Sequence, residues 1–487
     1  MKTRIVTVCM ALFMAMSWNA WAQTGGSPKG RVTIPLKHGS DHPGKRTDAD
    51  MERWRGYGLG QFIHWGVYAI PGGEWNGKTY NGAAEWIRAW REFPREEYDN
   101  LYKQFNPTGF DAKAWARMAK KMGAGYLIFT TKHHDGFCLW PSRYTDYTVA
   151  HTPYQKDIVG QVVDAYTAEG IDVYLYFTIM DWNQGGWLYQ PPKNEEEKAR
   201  WEGFKQFTRN QLLELLENYP QIKGFWFDGT WDASWVGEAE FAHELEQELR
   251  ALHPGLIIGS RFRADEYGNR RYDLNGDLIG DYDQTWERDI PTDIGQLRGN
   301  DWDCCMTIPE NGWGYAKTWT TYAKTPYELL SMLSECNSLG GNLVINFGPD
   351  GNGHFRVEEQ QIAAEIGRWM DVNGEAIRDA EPAAGVHKQG WGFMTQKGNR
   401  LFLHVYNQPL NNVLRLVFDK KTYVPGRVKL LDGGTALKVE DAGRNKQNAR
   451  LFNLYLPEGK TFAGPFVVEV ELIDNNGDQD AYQQAKV

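Results

Sequence analysis

Between about residues 60 and 370 the sequence keeps repeating one arrangement: a short, almost continuously apolar run, a turn, then a segment whose apolar residues recur at helical spacing. Strand candidates fall at 60–66, 125–131, 173–179, 224–228, 256–261, 302–308 and 341–349. Helical patterns fall at 111–122, 157–169, 195–218, 238–252, 325–338 and 358–372. Strands that are apolar on both faces must be covered on both faces, and alternation with helices supplies the cover. The pattern predicts a parallel sheet closed into a (β/α)8-like barrel, loop-rich from 262 to 322. From about Glu381 the helices stop, and alternating apolar runs separated by Gly, Pro and Asn turns predict a C-terminal antiparallel β-sandwich. The division expected is a catalytic barrel over 45–378 and a sandwich over 379–474, with a disordered polar tail at 475–487.

At the amino end, Lys2 and Arg4 precede an apolar run from Ile5 to Met16, and Ala20-Trp21-Ala22 has the A-x-A form of a cleavage site. Residues 1–22 read as a signal peptide cut after Ala22, and 23–44 as a polar leader, so the mature protein is expected in the periplasm or secreted. Cys9 lies inside the apolar run rather than at a lipobox, and no other segment is long and apolar enough to span a membrane. The formal net charge of -10 argues against nucleic acid as a partner. Cys138, Cys304, Cys305 and Cys336 are too sparse for a disulfide framework. No G-x-S-x-G, phosphate loop or dinucleotide fingerprint occurs, which removes serine hydrolases, kinases and hydride-transfer enzymes as leading readings.

Near the middle, Lys223-Gly224-Phe225-Trp226-Phe227-Asp228-Gly229-Thr230 reads as a buried strand delivering a carboxylate to a glycine turn. That is where a β/α enzyme places a nucleophile or base, although a helix-capping Asp fits the same pattern. If the barrel forms, His64, His133, His134, Asp135, Tyr176, Asp181, Asp228 and Arg261 meet at the carboxyl ends of its strands. Zinc on His64, His133 and Asp228 is one alternative. The adjacency of His133 and His134 speaks against both entering one tetrahedral shell, and hydroxyl-binding imidazoles suit the set better. Asp273, Asn275 and Asp277 start like a calcium loop, but Gln284 stands where the closing Glu belongs, so a solvated acidic loop is expected. Neither a metal nor a cofactor is called for.

Phe62-Ile63-His64-Trp65-Gly66, Glu85-Trp86, His133-His134-Asp135-Gly136-Phe137, Trp226-Phe227-Asp228-Gly229 and Asn346-Phe347-Gly348-Pro349-Asp350-Gly351-Asn352-Gly353 occur in that order over roughly 45–370. Together they resemble the α-L-fucosidases of glycoside hydrolase family 29. The resemblance implies retaining hydrolysis of terminal α-L-fucose from fucosylated oligosaccharides or glycoprotein glycans. It also implies an irregular barrel followed by a β-sandwich, Asp228 as nucleophile, and sugar contacts from His64, Glu85, Trp86, His133, His134 and Tyr176. Trp226 would lie beside the nucleophile and Arg261 near the reacting centre. For the acid/base, Glu287 in Gln284-Thr285-Trp286-Glu287-Arg288 is chosen over Glu266, on the expectation that a glutamate following a Trp carries the raised pKa of a proton donor. Arg288 would pull the other way if it faced that carboxylate. Other readings are a fucose-binding protein with an inactive site and a glycosidase for galacto-configured sugars. The aromatic content of 231–235 and 300–319 points to a further sugar site there, and the sandwich is expected to brace the barrel rather than bind sugar.

Overall fold

The computed structural model describes residues 46–310, 312–419 and 423–474. The expected signal peptide, leader and carboxyl-terminal tail lie outside the described residues. Eight parallel strands make one sheet: β1 (Leu59–Ile63), β2 (Tyr126–Lys132), β3 (Asp172–Thr178), β4 (Gly224–Asp228), β5 (Ile257–Ile258), β6 (Asp283–Glu287), β7 (Trp302–Thr307) and β8 (Asn342–Phe347). Their spatial order, β5-β4-β3-β2-β1-β8-β7-β6, is that of a barrel with its seam between β5 and β6. Helix α1 (Ala49–Arg55) precedes the barrel. Helices α2 (Ala112–Met122), α3 (Ile158–Ala168), α4 (Glu195–Asn218) and α5 (Ala239–Leu252) follow the first four strands, α6 (Pro326–Ser338) precedes β8 and α7 (Val357–Asn373) follows it. Local chemistry starts these helices: Asp111 and Asp157 accept from the amides of Ala114 and Gly160, and Thr325 closes a capping box with Glu328 behind Pro326.

Period-two alternation sorts each strand between two cores. Phe225 and Phe227, Leu175 and Phe177, and Leu343 and Ile345 face the helices. Trp226, Tyr174, Tyr176, Phe62, Tyr126 and Val344 point into the barrel. The same parity aims the next member of the inward set, Asp228 on β4 and His64 just past β1, up and in at the carboxyl-terminal mouth.

The seam is stitched rather than laddered. Asp281 N–H donates to Ile258 O at 2.8 Å and Ser260 N–H to Tyr282 O at 3.0 Å. The two chains approach so closely that a Cβ on Gly280, whose φ is 133°, would lie 2.8 Å from the Gly259 carbonyl carbon, so no other residue fits there. Behind the seam is a buried ion-pair cluster. Asp281 accepts from Arg46 and Arg250 at 3.0 Å each and from the Ile258 amide at 2.9 Å, while Glu246 on α5 takes Arg250 at 2.8 Å and Arg263 at 2.7 Å.

A five-stranded antiparallel sheet and a three-stranded one follow, β9 (Glu381–Pro382), β10 (Gly392–Lys397), β11 (Arg400–Val405), β12 (Val413–Phe418), β13 (Tyr423–Leu430), β14 (Lys438–Arg444), β15 (Arg450–Tyr455) and β16 (Phe466–Asp474), in the orders β9-β10-β11-β16-β13 and β12-β15-β14. They enclose a core of their own, including Leu403, Leu416, Phe452 and Val468. Polar side chains lock this unit onto α6 and α7. Ser334 Oγ lies 3.0 Å from His404 Nδ1, Tyr406 OH donates to Leu330 O at 2.5 Å, and Trp369 Nε1 donates to Pro465 O at 2.9 Å.

Burial by itself would raise the Glu246 carboxyl, but Arg263 and Arg250 outweigh it and hold the pKa at about 2. A depressed carboxylate stabilises the fold above its ordinary pKa, and that contribution is lost as pH falls from about 4.5 toward 2. Glu246→Ala, which removes the buried carboxylate shared by Arg263 and Arg250, is expected to cost about 3–5 kcal/mol in denaturant unfolding at neutral pH. Glu246→Gln is expected to flatten the acid limb of stability between those values; an unchanged limb would rule the cluster out as its source.

Candidate active site

Asp228 ends β4 opposite Thr178 of β3, and Gly229 turns the chain away at φ 65°, where a Cβ would collide with Thr178 Oγ1 at 2.6 Å. Tyr176, the inward residue of the neighbouring strand, donates its hydroxyl to Asp228 Oδ2 at 2.9 Å. Arg261, past the end of the short β5, reaches across the barrel mouth. Its Nη1 lies 3.4 Å from Asp228 Oδ1 and its Nη2 2.5 Å from Glu287 Oε2, so one guanidinium bridges both carboxylates. The guanidinium also lies over the Trp226 ring, 4.9 Å from its centroid. Trp226 is buried inside the barrel against Tyr176 and Phe62, which makes it the floor below Asp228.

Three imidazoles line the pocket without being charged. His64 Nδ1 is 2.6 Å from Asn346 Oδ1, and because the Asn346 amide nitrogen donates to Trp313 O at 2.6 Å, the oxygen faces the imidazole and Nδ1 donates. The Nε2 lone pair is left for a hydroxyl. His134 Nδ1 donates to Thr178 Oγ1 at 2.6 Å, the hydroxyl passes its own hydrogen to Met180 O, and Nε2 turns toward Asp228 Oδ2 at 3.7 Å. His133 stacks on Tyr176 at an interplanar angle of 2° with no partner on Nδ1. Burial, opposed at His64 by its Asn346 bond, pushes His64 and His134 down to about 3, and burial drives His133 well below its usual value.

Glu85, in the 3-10 turn Ala84–Ala89, is fully buried, with Oε2 accepting from Gly314 N–H at 2.8 Å and Oε1 without a partner. Burial pushes its carboxyl up to about 7, backbone amides pulling the other way. Trp86 beside it meets His134 edge-on at 4.9 Å and packs with Trp182 at 5.3 Å.

Two expectations are corrected. Asp135 and Asp181 do not enter the pocket: Asp135 accepts from Tyr98 OH at 2.7 Å and Asp181 pairs with buried Lys132 at 3.0 Å, so both buttress the His133-His134 turn from behind. Glu287 does not carry a raised pKa. Burial raises it, but Arg261, then Arg288, more than offset this, and it sits below the ordinary carboxylate value. Trp286 points outward toward the helix-facing core, so the indole gives the carboxyl no apolar shield. Of the aromatics expected to form a further sugar site, Trp235 is buried with Nε1 donating to Phe262 O at 2.8 Å, and Trp302 is wholly buried.

Glu266 stands on the loop after Arg261 with both carboxylate oxygens enclosed and unpartnered, and Arg261 reaches Glu287 instead. The Asp273 carboxylate accepts from the amides of Asn275 and Asp277 at 2.7 and 3.0 Å, the geometry of a turn-closing Asx residue. Among the described residues no group of three or more His, Cys, Asp or Glu is arranged to hold a metal ion. Thr178, Trp182, Trp313 and Asn346 surround the pocket without having been singled out. Asn346 stood in the quoted Asn346-Phe347-Gly348-Pro349 motif, and Trp313 in the aromatic loop 300–319.

Residues 40–375 match the profile of the α-L-fucosidase family. An α-L-fucosidase of glycoside hydrolase family 29 from Bacteroides thetaiotaomicron is 46% identical and superposes with a TM-score of 0.85, covering 91% of this chain and 99% of its own. A second structure from that organism, a covalent intermediate trapped with 2-fluoro-fucosyl fluoride, has the same identity and score and covers 91% of this chain and 100% of its own. The tissue α-L-fucosidase of Macaca fascicularis is 27% identical over 371 residues, 74% of this chain and 75% of its own. With the family profile spanning most of the barrel, the chain belongs to the α-L-fucosidases of glycoside hydrolase family 29.

Proposed function

We propose that the chain is a retaining, exo-acting α-L-fucosidase that removes terminal α-L-fucose from fucosylated oligosaccharides or glycoprotein glycans. The observation that carries this reading is the single guanidinium of Arg261 bridging Asp228 and Glu287 at the floor of a pocket of neutral imidazoles and indoles. The trapped covalent intermediate of its 46% identical neighbour supports the covalent route. Asp228 attacks the anomeric carbon and forms an ester as the bond to the leaving oxygen breaks, and Glu287 gives that oxygen its proton. Glu287, now ionised, takes a proton from water, whose oxygen attacks the same carbon and releases Asp228. His64 and His134, fixed as Nδ1 donors, present acceptor nitrogens to sugar hydroxyls. The unpartnered oxygen of Glu85 awaits another hydroxyl, and Trp86 and Trp313 supply the apolar wall that the C5 methyl and ring hydrogens of fucose need.

Before substrate engages them, the two carboxyls are poised against the first step. Asp228 is raised by burial, opposed by Arg261, and Glu287 is lowered because Arg261 holds it. A leaving oxygen arriving at Glu287 displaces Nη2. The guanidinium then serves Asp228 alone, lowering the nucleophile and freeing the acid to keep its proton. Arg261 thus converts substrate binding into the protonation states that the reaction requires. The signal features before Gln23 support export to the periplasm or beyond, where fucosylated glycans are met, and the mature amino terminus is expected at Gln23.

Asp228→Gly is expected to retain fucose binding while kcat falls by at least about a thousandfold; substantial residual turnover would remove Asp228 from the role of nucleophile. Azide is expected to restore turnover of an activated aryl fucoside in Glu287→Ala, and rescue in Glu266→Ala alone would move the acid/base there. Removing the positive charge with Arg261→Gln raises both carboxyls, so both limbs of the kcat/KM profile against pH should move upward. A downward shift of the alkaline limb would contradict the switching role of Arg261.

A further inference from the structure

Lys132, the last residue of β2, is buried on the helix side of the barrel wall. Its ammonium stands over the rings of Phe177 on β3 and Phe207 on α4, 4.5 and 5.1 Å from their centroids, and donates to Asp181 Oδ2 at 3.0 Å and Gln211 Oε1 at 2.9 Å. A lysine among apolar side chains loses its hydration, and a buried ion pair seldom stabilises more than apolar packing of the same volume. Position is the other thing such a pair can supply. The second oxygen of Asp181 accepts from the amides of Asn183 and Gln184 at 2.9 Å each, which fixes the turn that leaves β3. That turn meets the one that leaves β2. Trp182 N–H donates to His134 O at 2.8 Å, and the chain passes so close at Gly136, whose φ is 84°, that a Cβ there would run into Asp181 Oδ1.

His134 is mounted on this joint. Its Nδ1 donates to Thr178 Oγ1 at 2.6 Å, the hydroxyl hydrogen goes to Met180 O, and the ring is backed by Trp182, whose Nε1 donates to Met180 Sδ at 3.1 Å. Each acceptor in that chain lies between the end of β3 and Asp181. We infer that Lys132 is a positioning residue for fucoside hydrolysis: through Asp181 it clamps the turns after β2 and β3 together, so that His134 keeps an acceptor Nε2 turned to the sugar. Charge works in the same direction as grip. His134 Nε2 stands 3.7 Å from Asp228 Oδ2, close enough for a protonated imidazole to draw the nucleophile into an ion pair. Of the titratable groups facing that ring, His64, His133 and Asp228, only the carboxylate favours a proton on it. Burial, His64 and then the Lys132 ammonium keep the proton off, and Asp228 stays free for the anomeric carbon.

This assignment rests on the fucosidase reading, and a double-mutant cycle in the full chain, read as kcat/KM for α-L-fucosyl fluoride and as the Kd of L-fucose, separates the two. With His134 present, Lys132→Met is expected to lower kcat/KM about ten- to hundredfold, the effect of a displaced pocket group. In the His134→Ala background the same change is expected to cost less than about threefold, because the lysine acts through that ring. Lys132→Met/Asp181→Asn leaves no unpaired buried charge and keeps an oxygen for the Asn183 and Gln184 amides, so it folds even where Lys132→Met does not. Carried through the same cycle, it is expected to show the same non-additive loss. Equal losses in the two backgrounds, or wild-type kcat/KM in either lysine variant, would overturn the positioning role and leave the fucosidase reading standing. A wild type that neither hydrolyses the fluoride nor binds L-fucose would overturn both.

Discussion

Two acidic side chains buried at the mouth of a barrel repel each other and lose most of their hydration, and the pocket depends on how that is resolved. The guanidinium of Arg261 resolves it by touching both. Around this triad the imidazoles are held neutral by burial, with hydrogen bonds fixing the tautomers of His64 and His134, and Tyr176 is held neutral by burial and by its bond to Asp228. Neutral partners suit a neutral ligand. A deoxy-sugar is bound by exchanging water for acceptors and donors already in place, without desolvating further charge.

Geometry for this comes from strand parity and one irregularity. Inward residues of β1, β3 and β4 reach the mouth by simple alternation, which puts His64, Tyr176 and Asp228 on one surface. The seam supplies what alternation does not. Because β5 is only two residues long, 259–261 leave the ladder, and Arg261 is free to swing over Trp226 toward β6. A regular fifth strand would have kept that side chain in register, either inside the barrel or against the helices.

Much of this could be read from the residues. The alternation of apolar runs and helical patterns carried the barrel, and the run from Phe225 to Gly229 carried the placement of Asp228 at its mouth, because both follow from local spacing. Parity also explains where reading failed. Asp135 and Asp181 lie at strand ends in the sequence, but β2 has an irregularity between Thr130 and Lys132 beyond which Asp135 turns to Tyr98, and Asp181, three residues past the end of β3, is taken by the buried Lys132. The pKa of Glu287 was misjudged for a similar reason: the sequence neighbour Trp286 faces outward, whereas the neighbour that sets its charge, Arg261, is distant in the chain. Trp313 and Asn346 secure His64 through a contact between the loop after β7 and the end of β8, which no local pattern announces.

An open seam costs ladder hydrogen bonds where the two ends of a large sheet meet, and a buried ion-pair cluster lies directly behind it. Arg46, Arg250 and Arg263 converge there on Asp281 and Glu246, with Asp281 also holding the Ile258 amide that a full strand would have paired. Buried ion pairs are a poor source of net stability compared with apolar packing, so their concentration at this point has another physical use. They fix the path of a chain that lacks a sheet partner, and so fix the origin of Arg261. Directional, hydrogen-bonded charges define position more sharply than interchangeable methyl groups do. At this seam the barrel gives up regularity to bring in a cation from an angle that no strand offers, and the cluster behind it makes that angle reproducible.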